Sequence, residues 1–134
     1  MTAIAGASTR RQRLTGQIVT ALPVLFLIFD ITIKLMVIEP VRQSLQQLGY
    51  PVGLAIVIGV IELVCLVVYL VPGTSVLGAI LLTGYLGGAV ATHVRIGSPL
   101  FSHVLFPIYV GALIWGGLYL REKRLGDLVP VRRA

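Results

Sequence analysis

Charge is scarce in this chain of 134 residues: Asp, Glu, Lys and Arg together make up 12%, against roughly a quarter in an ordinary soluble domain. With 57% hydrophobic residues and a mean hydropathy of +0.96, the chain lacks the polar surface a water-soluble enzyme needs. Cysteine occurs once, at Cys65, which excludes an internal disulfide, a CxxC redox pair and a thiolate metal cluster. No HExxH is present, so no metal site of that kind is expected. The glycine-rich phosphate-binding patterns of soluble nucleotide folds are missing as well. Acidic residues number only five against eleven Lys and Arg, giving a net charge of +6. In a soluble chain that balance would suggest nucleic acid. Here the basic residues sit at the two ends, which reports orientation in a membrane, and no nucleic-acid partner is expected.

What the chain has in abundance is long apolar runs. Four stretches, at about 17–38, 52–71, 75–94 and 100–120, each approach the ~20 residues that cross a hydrocarbon core of about 30 Å. Pro72 and Gly73 break the second from the third. Leu54-Ala55-Ile56-Val57-Ile58 shows none of the alternation of a barrel strand, so helices must satisfy the backbone internally. The expected fold is all-α, an integral membrane four-helix bundle over residues 17–121 with basic tails at 1–16 and 122–134. The connection from Glu39 to Tyr50 has Pro40 in place for a first helical turn and Gly49 for a helix end. Val41, Leu45 and Leu48 share one face, predicting a short helix on the outer membrane surface.

Orientation follows from charge. Arg10, Arg11 and Arg13 precede the first run; Arg121, Lys123, Arg124, Arg132 and Arg133 follow the last. An even number of crossings places both ends on one side, and the positive-inside rule makes that side the cytoplasm. Arginines before an apolar run superficially resemble a signal peptide. The run is long, contains Asp30 and Lys34 and lacks a small-residue cleavage pattern, so it is read as an uncleaved span.

Each ionisable group in hydrocarbon costs at least about 2.5–3.5 kcal/mol on insertion scales, so its position needs a reason. Asp30, Lys34, Glu62, His93, Arg95 and His103 come from four different spans, and all fall in the outer half. The inner half has none. Asp30 and Lys34 are four apart and stack on one helix face. Glu62, Cys65 and Tyr69 share a second face; Tyr85, Ala89, Thr92 and His93 share a third. Turned inward, these faces make a polar pocket open to the outside. The plain alternatives are snorkelling by Lys34 and Arg95, an Asp30–Lys34 pair within one helix, and packing roles for Glu62, Cys65 and the histidines.

Small residues suggest helix contacts: Gly84 and Gly88 form GxxxG in the third span, and Ala112 and Gly116 do likewise in the fourth. Pro107 frees the carbonyl of His103 and predicts a kink there, while Trp115 and Tyr119 approach the cytoplasmic interface.

The Lys near the outer end of the first span, the mid-span Glu62, and Thr83-Gly84-Tyr85-Leu86-Gly87-Gly88-Ala89 followed by His93 and Arg95 resemble the DoxX-like membrane proteins. The likeness continues through Gly97-Ser98-Pro99-Leu100-Phe101-Ser102-His103 and Leu105-Phe106-Pro107, and covers about residues 20–130. It implies a small four-helix protein of the bacterial inner membrane, from a family named after a subunit of a thiosulfate:quinone oxidoreductase. Lys34, Glu62, Tyr85, His93, Arg95 and His103 are the positions it assigns to a shared site. Asp30 departs from the small residue many relatives have, and so competes with Glu62 for Lys34.

Three functions compete. The leading one is a redox-associated accessory or quinone-binding subunit, non-catalytic by itself, with His93, Tyr85, Arg95 and His103 as hydrogen-bond donors to the head group and a partner protein as the electron source. The second is a small proton-coupled transporter acting as a homodimer, in which a membrane carboxylate trades a proton for cationic cargo; Lys34 and Arg95 oppose that cargo. The third is a purely structural subunit. Haem ligation by His93 and His103 is disfavoured, because two histidines across a tight hairpin leave little room for a porphyrin.

Overall fold

The computed structural model describes the backbone of residues 2–129 and side chains from Arg10 to Val129; Arg132 and Arg133 lie outside the described residues. Among those residues the chain is all helical. The helices are α1 (Thr2–Met36), α2 (Glu39–Leu48), α3 (Leu54–Leu70), α4 (Ser75–Arg95), α5 (Phe106–Arg121) and a final turn, α6 (Leu125–Leu128). The stretches Arg10–Met36, Pro72–Arg95 and Leu100–Arg121 are long and apolar enough to cross a membrane; the 17 residues of α3 make a shorter apolar helix.

Each long helix buries one narrow stripe. On α1 it is Gly16, Thr20, Pro23, Leu27 and Ile31; on α3, Ala55, Gly59, Glu62, Leu66 and Tyr69. On α4 it is Ser75, Ala79, Leu82 and Leu86, and on α5 Val110, Ile114 and Leu118. Spacings of three and four keep these residues on one side, where Leu27, Leu66, Leu82 and Ile114 meet in a common core. The other sides expose large apolar residues such as Ile18, Leu25 and Phe29, a surface suited to lipid rather than water. In the circuit of contacts α1 packs on α3 and α5, and α4 packs on the same two. Phe26 meets Phe106 edge-on at 5.0 Å, and a Cβ on Gly16 would touch Arg121, so α1 and α5 run antiparallel.

The connections follow the local chemistry. α2 starts with Pro40 in its first turn and ends at Gly49, whose φ of 78° allows Tyr50 N–H to reach back to Leu45 O at 2.9 Å. A left-handed residue also ends α1, but there it is Val37, with φ 50°. The expected single helix from residue 100 is instead split. Leu100–Val104 forms one wide π turn, with Val104 and Leu105 N–H bonded to carbonyls five residues back, and α5 begins at Phe106. Pro107 therefore lies in a first helical turn, where its missing N–H costs nothing, and not at a mid-helix kink.

The glycines that allow close approach differ from those expected. A Cβ on Gly84, Gly88 or Gly116 would meet nothing within 4 Å, and Ala112 is exposed. Within the chain, contact depends on Gly78, against the Tyr69 backbone, and on Gly117, against Thr20. GxxxG spacing puts small residues on one face, but the rotation of the helix decides whether that face meets a neighbour.

Candidate functional site

At the end of the helices away from the chain termini, α1, α3, α4 and α5 leave a cavity of about 560 Å³, with α2 forming part of its wall. Phe26, Leu27, Leu86 and Val110 supply apolar walls, and Val41, Leu45 and Leu48 line it from α2. Its polar side is a network of four residues.

Glu62 sits on the buried stripe of α3 and is 0% exposed. Lys34, in the last turn of α1, donates to Glu62 Oε2 at 2.9 Å, to Tyr85 Oη of α4 at 2.6 Å, and to Asp30 Oδ2 on its own helix. Tyr85 in turn donates to Glu62 Oε2 at 2.8 Å. Asp30 and Lys34 have side chains 24% and 20% exposed, so the network grades from a sealed carboxylate to a partly open one. The competition between Asp30 and Glu62 ends in sharing. Three ammonium hydrogens satisfy two carboxylates and a phenol, and the spacings i, i+4 on α1 and one helix neighbour away on α3 make this geometrically possible.

Glu62 Oε1 is buried with no hydrogen-bond partner among the described residues. Leaving a buried acceptor unpaired costs about 1–3 kcal/mol, more for a charged group.

The other expected residues divide. His93 and His103 both line the cavity, their rings 5.7 Å apart and nearly edge to face. Each binds a serine through Nδ1, Ser98 at 3.0 Å and Ser102 at 2.7 Å. Arg95 stays outside the cavity: its guanidinium donates to Leu48 O at the end of α2, an exposed carbonyl left without a helical partner. Tyr50, just beyond α2, bonds Thr92 at 3.0 Å, so α2 is tied to α4 at two points. Sequence reasoning missed both ties; the signal for the first was a cation near a helix C-terminus. Ala89 and Thr92 line the cavity on the α4 face shared with Tyr85.

At the opposite end, Arg121 reaches Tyr69 Oη at 3.3 Å, and Tyr69 donates to Ile114 O. Trp115 donates to Thr83 at 2.7 Å, which fixes its indole against α4.

No curated protein and no solved structure matches the chain. The profile of the DoxX-like family matches residues 18–117, a stretch that runs from α1 through α5 and includes every member of the four-residue network. The chain belongs to the DoxX-like family.

Proposed function

We propose that this protein is an integral four-helix bundle of the bacterial inner membrane, with both ends in the cytoplasm. In this reading the cavity beside Lys34 and Glu62 is a small-molecule site in the outer half, and the protein acts as a quinone-binding or redox-associated accessory subunit. The observation that carries the reading is the cavity itself. A site with apolar walls and a few convergent polar groups at one side suits an amphipathic ring with an apolar tail. His93 and His103 remain as the donors of the original set, since Tyr85 is committed to Glu62 and Arg95 lies elsewhere. The chain supplies binding and orientation; electrons come from a partner protein or a soluble donor.

Transport by a homodimer is the second reading. The uncovered small residues Gly84, Gly88 and Gly116 leave a face for a second copy. Against it, the membrane carboxylate already holds the ammonium of Lys34, which a cationic cargo would have to displace.

The test is gentle extraction of the native protein, mass spectrometry of bound small molecules and proteins, and a visible spectrum. A quinone or oxidoreductase partner retained by wild type and lost in Glu62→Gln supports the proposal. A colourless, partnerless homodimer without quinone overturns it in favour of transport or scaffolding.

A further inference from the structure

The polar wall of the cavity has spent its donors and kept its acceptors. All three hydrogens of Lys34 are engaged, and the one hydrogen of Tyr85 goes to Glu62 Oε2. Asp30 receives Lys34 through Oδ2, and Glu62 Oε1 receives nothing among the described residues. The network also holds two carboxylates against one ammonium. A ligand carbonyl brought to this wall would face lone pairs and excess negative charge. A ligand hydroxyl would supply the missing hydrogen.

The histidines do not change this balance at the wall. His93 lies eight residues beyond Tyr85 on α4, about 12 Å along the axis at 1.5 Å per residue. A ligand ammonium would have to compete with Lys34 for the same two carboxylates and give up its own hydration, whereas a neutral hydroxyl carries no charge to bury.

We infer that the cavity selects a neutral, hydroxyl-bearing head group on an apolar body, donating to the partly exposed carboxylate of Asp30, with the sealed Glu62 adding the excess negative charge that disfavours a carbonyl there. Resting on the quinone reading above, this makes the hydroquinone form the ligand the site retains, in preference to the quinone.

The test uses the full-length protein in lipid nanodiscs and three probes: a decyl-substituted benzoquinone, its hydroquinone, and the dimethyl ether of that hydroquinone. Binding is measured by titration calorimetry under anaerobic conditions. The hydroquinone is expected to bind at least ten-fold more tightly than the other two. Asp30→Asn places an amide donor where an acceptor stood and should narrow or reverse the preference; Glu62→Gln removes the excess negative charge beside it and should narrow the preference. Asp30→Asn, at a partly exposed position, keeps the test available if Glu62→Gln does not fold. Quinone binding as tight as hydroquinone overturns the inference and leaves the proposed function standing. Hydroquinone preference unchanged in both variants overturns the assignment to these carboxylates. If no probe binds, both the inference and the quinone reading fall.

Discussion

Lys34 of α1 and Glu62 of α3 meet at 2.9 Å, and the same ammonium also holds Asp30 four residues before it. One cation thus ties two helices together and neutralises the only fully buried carboxylate among the described residues. Such a pair is costly to break from one side, because the remaining partner stays buried without compensation.

Lys34→Met should therefore destabilise the protein by about 3–5 kcal/mol, and the double variant Lys34→Met/Glu62→Gln should recover much of that loss. Thermal unfolding in detergent, followed by circular dichroism, compares the two. Additive losses in the double variant would show that the pair does not act as a unit.

Tyr85→Phe removes the hydroxyl that accepts from Lys34 and donates to Glu62 while keeping the ring. Hydrogen bonds to charged groups contribute about 1.5–3 kcal/mol, and the variant should lose stability in that range. A midpoint equal to wild type would remove Tyr85 from the network's support.

The two classes of glycine should respond in opposite directions. Gly78→Ala drives a methyl into the backbone of Tyr69, where no side chain can give way, and should cost at least 1–3 kcal/mol, roughly the penalty of an overpacked core. Gly84→Ala meets open space and gains about 1 kcal/mol of helix propensity. Unfolding midpoints of the two variants, measured side by side, check the sign of each.

Val37 is β-branched and holds φ at 50°, a conformation that costs a non-glycine residue about 1–2 kcal/mol. Val37→Gly should relieve that strain, offset in part by the larger conformational freedom of glycine in the unfolded chain, for a net gain of under about 1 kcal/mol. A clear loss of stability would mean that the packing of Val37 beside Val41 and Leu45 outweighs its backbone cost.

Orientation is open to direct labelling. In a Cys65→Ser background, a cysteine placed at Ser44 on α2 should react with a membrane-impermeant maleimide added to intact cells. One at Lys123 should react only after permeabilisation. The reverse pattern would invert the assigned topology.

Much of this architecture is legible in the residues. Pro40 and Gly49 mark the ends of α2 because a fixed φ and a left-handed φ are local demands, and the structure puts both residues in those roles. The inward faces of Glu62–Tyr69 and Tyr85–His93 follow from 3.6-residue periodicity, since exposing carboxylate or phenol to lipid is costlier than burying it. What local pattern does not contain is the rotation and tilt of one helix against another. That is why the GxxxG spacing points to Gly84 and Gly88, while within the chain Gly78 and Gly117 make the contacts. It is also why Arg95, next to the cluster in sequence, turns away to an α2 carbonyl. The π turn at Leu100–Val104 depends on how the chain joins α4 to α5 between Pro99 and Pro107, and spacing alone does not distinguish it from a continuous helix.

Where Gly78 meets Tyr69 and Gly117 meets Thr20, the helices touch almost backbone to backbone, whereas toward α2 they stand far enough apart to enclose a cavity. The interior is wide beside α2 and pinched where these glycines sit. Passage from the cavity through the bundle toward the termini would require these glycine contacts, the closest among the described residues, to part. The wide end owes its shape to α2, which Tyr50 and Arg95 hold against α4.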